Sequence, residues 1–160
     1  MTAHYHGPHS GIHYKHSDNS HYIAAKRFQK TNKNLFQLVE NLIKHNNLEL
    51  WEIYYQIKVP AGCHKFAGLL ATLAIYKSAQ TKVHKDLGDS KGGICVLICW
   101  GKFHGGELVF TELRACVPFH AGSIIIFRSA IISQYNMSVE GDRYSMVFKT
   151  DKNLYKWLQS

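Results

Sequence analysis

Residues 92–110 read GGICVLICWGKFHGGELVF, and this stretch decides the class of fold. Its apolar segment at residues 94–100 is too short for a membrane helix and has the length of a buried β-strand. Glycines at positions 101, 105 and 106 interrupt the apolar character before a second short segment at residues 107–110. This arrangement predicts two β-strands separated by turn residues.

The same pattern continues on both sides of this stretch. Turn residues such as Gly88-Asp89, Ala121-Gly122 and Glu140-Gly141-Asp142 separate further segments of strand length. Those segments are rich in aromatic and β-branched residues and lie at residues 51–59, 68–76, 81–84, 115–119, 123–127, 133–139 and 144–150. Many short strands with closely spaced turns predict a sandwich, a jelly roll or a barrel.

Helical patterns flank the β-rich part. Residues 22–30 predict a short helix, and residues 34–45 predict a longer one that Asn34 caps and the Asn46-Asn47 pair ends. A last helix is expected at about residues 152–159, with Asp151 as its cap. The longer helix is expected to bury residues at i, i+3, i+4 and i+7, which are Leu35, Leu38, Val39 and Leu42.

The chain has 160 residues, which is enough for one domain with a substantial core. It lacks the apolar core of a secretory signal and any run long enough for a membrane helix, so we expect an intracellular protein, nuclear or cytoplasmic. The net charge of +8 is compatible with nucleic acid as a partner. The excess is spread along the chain rather than focused, so charge alone does not identify such a partner. The sequence leaves the oligomeric state open.

Residues 1–21 form a polar segment with six histidines and no helix or strand period. We interpret it as a loose tail, with metal binding by the histidines as the alternative. Residues 22–160 are assigned to a single domain. The four cysteines lack the close pairing of a zinc site, so buried free thiols are expected, with Cys95 and Cys99 on one strand face.

His84-Lys85-Asp86 is the first candidate for chemistry. On an extended segment residues i and i+2 point to the same side, so the imidazole of His84 and the carboxylate of Asp86 converge. Such a pair supplies two of the three ligands of a 2-His-1-carboxylate facial triad, which leaves open positions on Fe(II). Taken alone, His-x-Asp is a weak signal in a chain with 11 histidines.

Arg143-Tyr144-Ser145 is the second candidate. Arg143 and Ser145 share one face of the last predicted strand and together offer a guanidinium fork and a hydroxyl. This combination suits a carboxylate, because the guanidinium can bond both oxygens in parallel. An ordinary exposed arginine after a Gly-Asp turn is the alternative interpretation.

The order and spacing of these motifs resemble those of a known family. Residues 92–110, residues 117–129 (VPFHAGSIIIFRS), residues 140–145 (EGDRYS) and residues 154–157 (LYKW) resemble fungal members of the TET/J-binding-protein group of 2-oxoglutarate/Fe(II) dioxygenases. The resemblance implies a double-stranded β-helix, or jelly roll, with N-terminal helices on one face and a short C-terminal helix. It also implies that His84 and Asp86 ligate iron, and that Arg143 with Ser145 binds the distal carboxylate of 2-oxoglutarate.

Gln134 is the departure from that family pattern. The pattern has a second histidine ligand shortly before Asn136, where this chain reads Ile131-Ile-Ser-Gln134-Tyr-Asn136. An amide oxygen is a neutral and weaker donor than imidazole. Four interpretations are open. Gln134 binds iron in a weakened site, or another histidine, such as His120 or one of the N-terminal tract, binds iron in its stead. Otherwise the fold has lost catalysis, or Gln134 is an introduced change.

The resemblance therefore implies a 2-oxoglutarate- and Fe(II)-dependent dioxygenase that oxidises a C–H bond. The resemblance points to 5-methylcytosine or a related base in nucleic acid as the substrate, with a small molecule or a peptide left open. The main alternative is a disabled oxygenase fold that serves as a ligand- or partner-binding module. Gln134 favours that alternative, and the intact His84-x-Asp86 and Arg143-x-Ser145 pairs oppose it.

Overall fold

The structure, a computed structural model, describes residues 26–58 and 65–152. Residues 26–31 are helical and lead into two helices, α1 (Lys33–Asn46) and α2 (Leu48–Gln56). Within the described ranges seven strands follow: β1 (Thr72–Lys77), β2 (Cys95–Gly105), β3 (Leu108–Phe110), β4 (Ala115–Val117), β5 (Ile124–Phe127), β6 (Gln134–Asn136) and β7 (Val139–Lys149). Helices combined with antiparallel strands make this an α+β fold, in agreement with the predicted class.

The described strands form two antiparallel sheets. The larger has the order β1-β7-β2-β5, and the smaller has the order β4-β3-β6. β2 and β7 pair along most of their length, from Val96 opposite Phe148 to Gly105 opposite Val139. Because side chains alternate along a strand, every second residue of β2 and β7 faces the helices, and the residues between them face the opposite side of the larger sheet.

The hydrophobic core lies between α1 and the larger sheet. Val96 on β2 and Phe148 on β7 are fully buried on the helix-facing side. Phe36 of α1 packs edge-on against Phe148, with ring centroids 5.6 Å apart, and against Phe66 at 6.1 Å. Burying an aromatic or large aliphatic side chain stabilises a fold by about 1.5–3 kcal/mol each. This packing fixes the sheet on which the candidate site is built.

The glycines predicted to break the strands at positions 101 and 141 lie inside them. Gly101 has φ +122 and Gly141 has φ +97, and both sit in the paired part of β2 and β7. A Cβ atom at Gly101 would collide with the carbonyl oxygen of Asp142. Glycine therefore lets the two strands continue through a locally distorted pairing, and the prediction of turns at these positions was wrong.

The strand predicted at residues 51–59 is wrong, because residues 48–56 form helix α2. Asn47 caps this helix, and its side chain accepts a hydrogen bond from the Leu50 N–H at 2.9 Å. Trp51 and Tyr55 stack one helical turn apart, with ring centroids separated by 4.8 Å. Aromatic residues favour strands only through the packing they find, and here helical packing prevails.

Helix α1 is confirmed near its predicted bounds, and of the residues expected to be buried Val39 is buried and Leu35 is half-buried against the core. Its buried residues are Phe36, Val39 and Ile43, whereas Leu38 is 48% exposed. Two apolar stripes at helical spacing run along this helix, and docking onto Phe66 and Phe148 selects the one that carries Phe36. Asn34 is not the cap, since the helix begins at Lys33.

Several smaller expectations also changed. Residues 81–84 form no strand, and His84 makes only an isolated bridge to Gln134. The segment at 133–139 is divided between β6 and the first residue of β7. The predicted C-terminal helix lies almost entirely outside the described residues, as does the segment 1–21. The double-stranded β-helix stays a prediction. None of the described helices is long and apolar enough to cross a membrane.

The cysteine prediction holds for two of the three thiols that the structure describes. Cys95 and Cys99 are free and buried, and burial raises the pKa of each thiol above its ordinary value. Cys116 on β4 is exposed, which corrects the expectation for that residue. Cys63 lies outside the described residues. Thiols with raised pKa values are poor nucleophiles.

Candidate active site

A cavity of about 310 Å³ lies on the side of the larger sheet that faces away from the helices. Side chains of both sheets line it, among them Leu97 of β2 and Leu108 of β3. The five residues singled out in the sequence all line this cavity: His84, Asp86, Gln134, Arg143 and Ser145. Two motifs about sixty residues apart in the sequence are therefore brought together with Gln134 around one space.

Backbone pairing fixes His84 and Gln134 next to each other. The His84 N–H donates to the Gln134 carbonyl at 3.1 Å, and the Gln134 N–H donates to the His84 carbonyl at 2.9 Å. The Asp86 N–H donates to the Ser129 carbonyl at 2.9 Å, which holds the second residue of the motif. The pairing of β6 with the His84 segment thus places Gln134 beside His84 and Asp86.

The three side chains converge at their tips. Gln134 Nε2 lies 3.4 Å from His84 Nε2 and 3.3 Å from Asp86 Oδ2, and His84 Nε2 lies 3.9 Å from Asp86 Oδ1. His84 Nδ1 is 2.7 Å from the Lys82 carbonyl oxygen. An N–H at Nδ1 bonded to that carbonyl leaves the lone pair of Nε2 directed at Asp86 and Gln134, as in metal-ligating histidines.

This cluster fits a metal ion if Gln134 takes part. Donors in neighbouring positions around an octahedral ion, each about 2.1 Å from it, lie about 3.0 Å apart, slightly closer than the separations observed here. The Gln134 amide oxygen is buried and has no hydrogen-bond partner among the described residues. A half-turn of the amide would place this oxygen against His84 and Asp86. No three His, Cys, Asp or Glu side chains of residues 26–58 and 65–152 form such a group.

Among the other histidines considered as ligands, the structure describes His120 and does not bring it to this cluster. His120 is exposed and lies outside the cavity lining. His104 lies in β2, opposite Glu140 of β7. His64 and the N-terminal histidines lie outside the described residues.

Arg143 is a buried cation at the cavity wall. Its side chain is 2% exposed, with Nη1 donating to the Gly106 carbonyl at 2.9 Å and Nη2 donating to the Ala79 carbonyl at 2.6 Å. Its Nε is buried without a hydrogen-bond partner in the described part of the chain, and no described carboxylate lies within 4.0 Å of the guanidinium. Burial lowers the pKa of Arg143 below its ordinary value.

Gly106 makes room for this guanidinium. The residue has φ +77, and a Cβ atom there would collide with Arg143 Nη1. Ser145, two residues along β7 from Arg143, is 8% exposed and lines the same cavity. The guanidinium and the hydroxyl therefore face the cavity from one strand, as the alternation of the sequence predicts.

A buried ion pair next to the cluster was missed by the sequence analysis. Lys149 Nζ lies 3.1 Å from Asp89 Oδ1, and Ser129 Oγ donates to Asp89 Oδ2 at 2.7 Å. Burial raises the pKa of the Asp89 carboxyl, opposed by Lys149 and Ser129. The Asp89 N–H also donates to the Asp86 carbonyl at 2.8 Å, so the backbone of Asp89 closes the turn that follows Asp86.

A signal for Lys149 exists in the sequence. The alternation that groups Arg143 with Ser145 continues along β7 to Val147 and Lys149, and all four residues line the cavity. Asp89 carries no such signal, because Gly88-Asp89 has the composition of an ordinary turn.

Comparison with known proteins gives a distant similarity. No family model matches the chain. The chain is 28% identical over 98 residues to the bifunctional helicase and thymine dioxygenase JBP2 of Trypanosoma brucei brucei, which covers 61% of this chain and 9% of that protein. It is 25% identical over 122 residues to the protein of the same name from Leishmania braziliensis, which covers 69% of this chain and 11% of that protein. The chain thus matches only about a tenth of the length of these relatives.

Proposed function

We propose that this protein is a 2-oxoglutarate- and Fe(II)-dependent dioxygenase that oxidises a C–H bond of a methylated pyrimidine base in nucleic acid. The proposal assigns residues 22–160 to one oxygenase-like domain with a double-stranded β-helix. The observation that carries the proposal is Arg143, which is buried at the wall of the cavity that holds His84, Asp86 and Gln134 and has no carboxylate partner among the described residues.

The buried positive charge of Arg143 would be compensated by an anion in the cavity. Burying a cation without a counter-charge is costly, so such sites are usually completed by a bound anion or by a partner side chain. Two of the five guanidinium donors are used by the Gly106 and Ala79 carbonyls, and three remain. A carboxylate of the ligand, with Ser145 as a further donor, fits this remaining set.

The ligand that fits the whole cavity carries two anionic ends. 2-Oxoglutarate would place its distal carboxylate at Arg143 and its 2-oxo acid end at the metal held by His84, Asp86 and Gln134. When bound, Fe(II) would supply the activation of O₂ that couples decarboxylation of 2-oxoglutarate to succinate with hydroxylation of the substrate. His84 and Asp86 provide a fixed imidazole and carboxylate, and the apolar walls at Leu97 and Leu108 exclude water.

A base in nucleic acid is the substrate that the combined observations favour. The relatives carry the name thymine dioxygenase, which makes a pyrimidine methyl group the natural first substrate to test. The cavity of about 310 Å³ is of a size that takes a small cosubstrate and a single flipped base, and its lining includes Thr81 and Asn136, which are joined by a 3.1 Å hydrogen bond. A net charge of +8 is compatible with a polyanionic partner.

A disabled oxygenase fold that binds a ligand or a partner is the second candidate. It is favoured by the orientation of Gln134, whose amide nitrogen lies against His84 Nε2 and Asp86 Oδ2. In that orientation hydrogen bonds of the amide close the cluster without an ion. Arg143 and its cavity would then retain a dicarboxylate as a ligand rather than as a cosubstrate.

The proposed activity is tested by incubating the protein with Fe(II), 2-oxoglutarate and oxygen, with oligonucleotides that differ only in cytosine or 5-methylcytosine. A parallel thymine-containing oligonucleotide tests the second methylated base. Mass spectrometry should detect an oxidised methyl group and a matching amount of succinate, both abolished in Asp86→Ala. Succinate and oxidised base at the level of Asp86→Ala would refute the enzyme and leave the binding module.

A further inference from the structure

Glu112 connects the two chain segments that carry the clustered side chains. It lies in the turn at residues 111–114 between β3 and β4. Its Oε2 accepts from the Ser133 N–H at 2.7 Å, and its Oε1 accepts from the Ser133 hydroxyl at 2.8 Å. Lys85 Nζ lies 2.9 Å from the same Oε1. We name Glu112 with Lys85 and Ser133 the Glu112 bridge.

The positions of these partners in the chain give the bridge its significance. Lys85 stands between His84 and Asp86, and Ser133 immediately precedes Gln134. One carboxylate therefore bonds to a direct neighbour of each of the three clustered residues. In addition, the backbones of His84 and Gln134 are paired by two hydrogen bonds. The two segments are thus tied at both the backbone and the side-chain level.

The Glu112 bridge is more than an exposed ion pair. Exposed pairs alone contribute little to stability, and the side chains of Lys85 and Glu112 are 37% and 43% exposed. Here both carboxylate oxygens are engaged, and one partner is a backbone N–H that cannot move away as a long side chain can. The hydrogen bonds of Lys85 and then Ser133 hold the pKa of Glu112 well below its usual range.

We propose that Glu112 is a positioning residue that holds the His84–Asp86 segment and Gln134 in register with each other. The proposal rests on the proposed function, in which these three side chains bind Fe(II). An amide oxygen is a weak ligand, so a site that uses one depends strongly on donors already fixed at the right separation. Glu112 supplies that restraint from outside the cavity without touching the metal or the cosubstrate.

The test uses two readouts on the same variants. Glu112→Gln removes the charge while retaining the size of the side chain, and Lys85→Met removes the amine. Glu140→Gln, at an exposed position of β7, removes a charge away from the bridge and serves as the control. The first readout is hydrogen exchange at the His84 and Gln134 amides in metal-free protein. The second is anaerobic binding of Fe(II) alone.

Glu112→Gln and Lys85→Met should lose exchange protection at the two amides and bind Fe(II) roughly tenfold more weakly, the effect typical of residues that support metal ligands. Lys85→Arg should retain both properties, because it restores a cationic donor. Unchanged exchange and affinity in Glu112→Gln would overturn the proposal. A loss of protection that extends through β2 and β7 would also overturn it, because it would show general destabilisation.

The two readouts separate this proposal from the proposed function. If the unmodified protein binds no Fe(II), the proposed function fails, while hydrogen exchange still decides whether Glu112 positions the two segments. If the unmodified protein binds Fe(II) and Glu112→Gln binds it equally well, the proposed function stands and the role of Glu112 is refuted.

Discussion

Replacing Arg143 by glutamine tests the assignment of this residue to the distal carboxylate of 2-oxoglutarate. Removing one partner of a buried, hydrogen-bonded charge pair typically costs about 2–5 kcal/mol of binding free energy. At about 1.4 kcal/mol per factor of ten, this corresponds to a dissociation constant raised roughly 30- to 4000-fold. The dissociation constant of Arg143→Lys should lie between those of the unmodified protein and Arg143→Gln, because lysine keeps the charge but cannot bond both carboxylate oxygens in parallel.

Stability of the metal-free protein should change little in Arg143→Gln. The substitution removes hydrogen bonds to the Gly106 and Ala79 carbonyls, each contributing about 1 kcal/mol. It also removes a buried cation that has no carboxylate within 4.0 Å among the described residues. The two effects oppose each other, so weaker binding will not simply reflect unfolding.

The assay is isothermal titration calorimetry with 2-oxoglutarate under anaerobic conditions, on protein loaded with Fe(II). 2-Oxobutyrate, which has the 2-oxo acid end and no distal carboxylate, provides the control ligand. Arg143→Gln should weaken binding of 2-oxoglutarate and leave binding of 2-oxobutyrate nearly unchanged. Equal affinity of the variant and the unmodified protein for 2-oxoglutarate, or an equal loss for both ligands, would refute the assignment.

Three further predictions concern the surroundings of the site. Asp89→Ala removes the carboxylate that pairs with the buried Lys149 ammonium and should lower the free energy of unfolding by about 3–5 kcal/mol in urea titrations, whereas Asp89→Ala with Lys149→Met should recover most of the loss. If the double variant is as unstable as Asp89→Ala, the ion pair does not account for the effect. The folded-state pKa of Asp89 lies above its ordinary value of 3.8, so the folded protein binds more protons than the unfolded chain just above that pH. The stability contribution of Asp89 should therefore fall as pH rises through its folded pKa. Asp89→Asn should remove this part of the pH dependence of unfolding. An unchanged pH dependence in Asp89→Asn would show that Asp89 is not its source. Gly106→Ala should place a methyl group against Arg143 Nη1 and strain a residue at φ +77, lowering unfolding free energy by at least about 1–2 kcal/mol and weakening 2-oxoglutarate binding. Wild-type stability and affinity in Gly106→Ala would show that Gly106 is not needed there.

The sequence predicts those parts of the site that depend on local geometry. His84 with Asp86, and Arg143 with Ser145, each follow from the rule that residues i and i+2 of an extended chain share a face. The structure brings both pairs to one cavity. The same rule, applied further along β7, also places Lys149 on this face. The buried cation that pairs with Asp89 could therefore have been predicted from the sequence.

Parts that depend on distant contacts could not be predicted. Glu112 meets Ser133 across 21 residues of chain, and Ser129 meets Asp89 across 40, through the way the strands pair. Local composition was misleading at residues 48–56, where the aromatic content suggested a strand. These residues form a helix, because Asn47 caps it and Tyr54 packs into the core. Gly101 and Gly141 have the composition of turns, and only the pairing of β2 with β7 reveals that they lie within strands.

Assembly of the metal and cosubstrate site is the central claim. It is tested most directly by anaerobic titration of metal-free protein with Fe(II) and 2-oxoglutarate, observing the visible charge-transfer band of the iron–cosubstrate chelate. Asp86→Ala and Gln134→His are measured in parallel. We predict a band in the unmodified protein, its loss in Asp86→Ala, and Fe(II) binding in Gln134→His that is tighter by roughly 10- to 100-fold. A band that occurs in Gln134→His and is absent from the unmodified protein would contradict the claim and identify a disabled oxygenase fold.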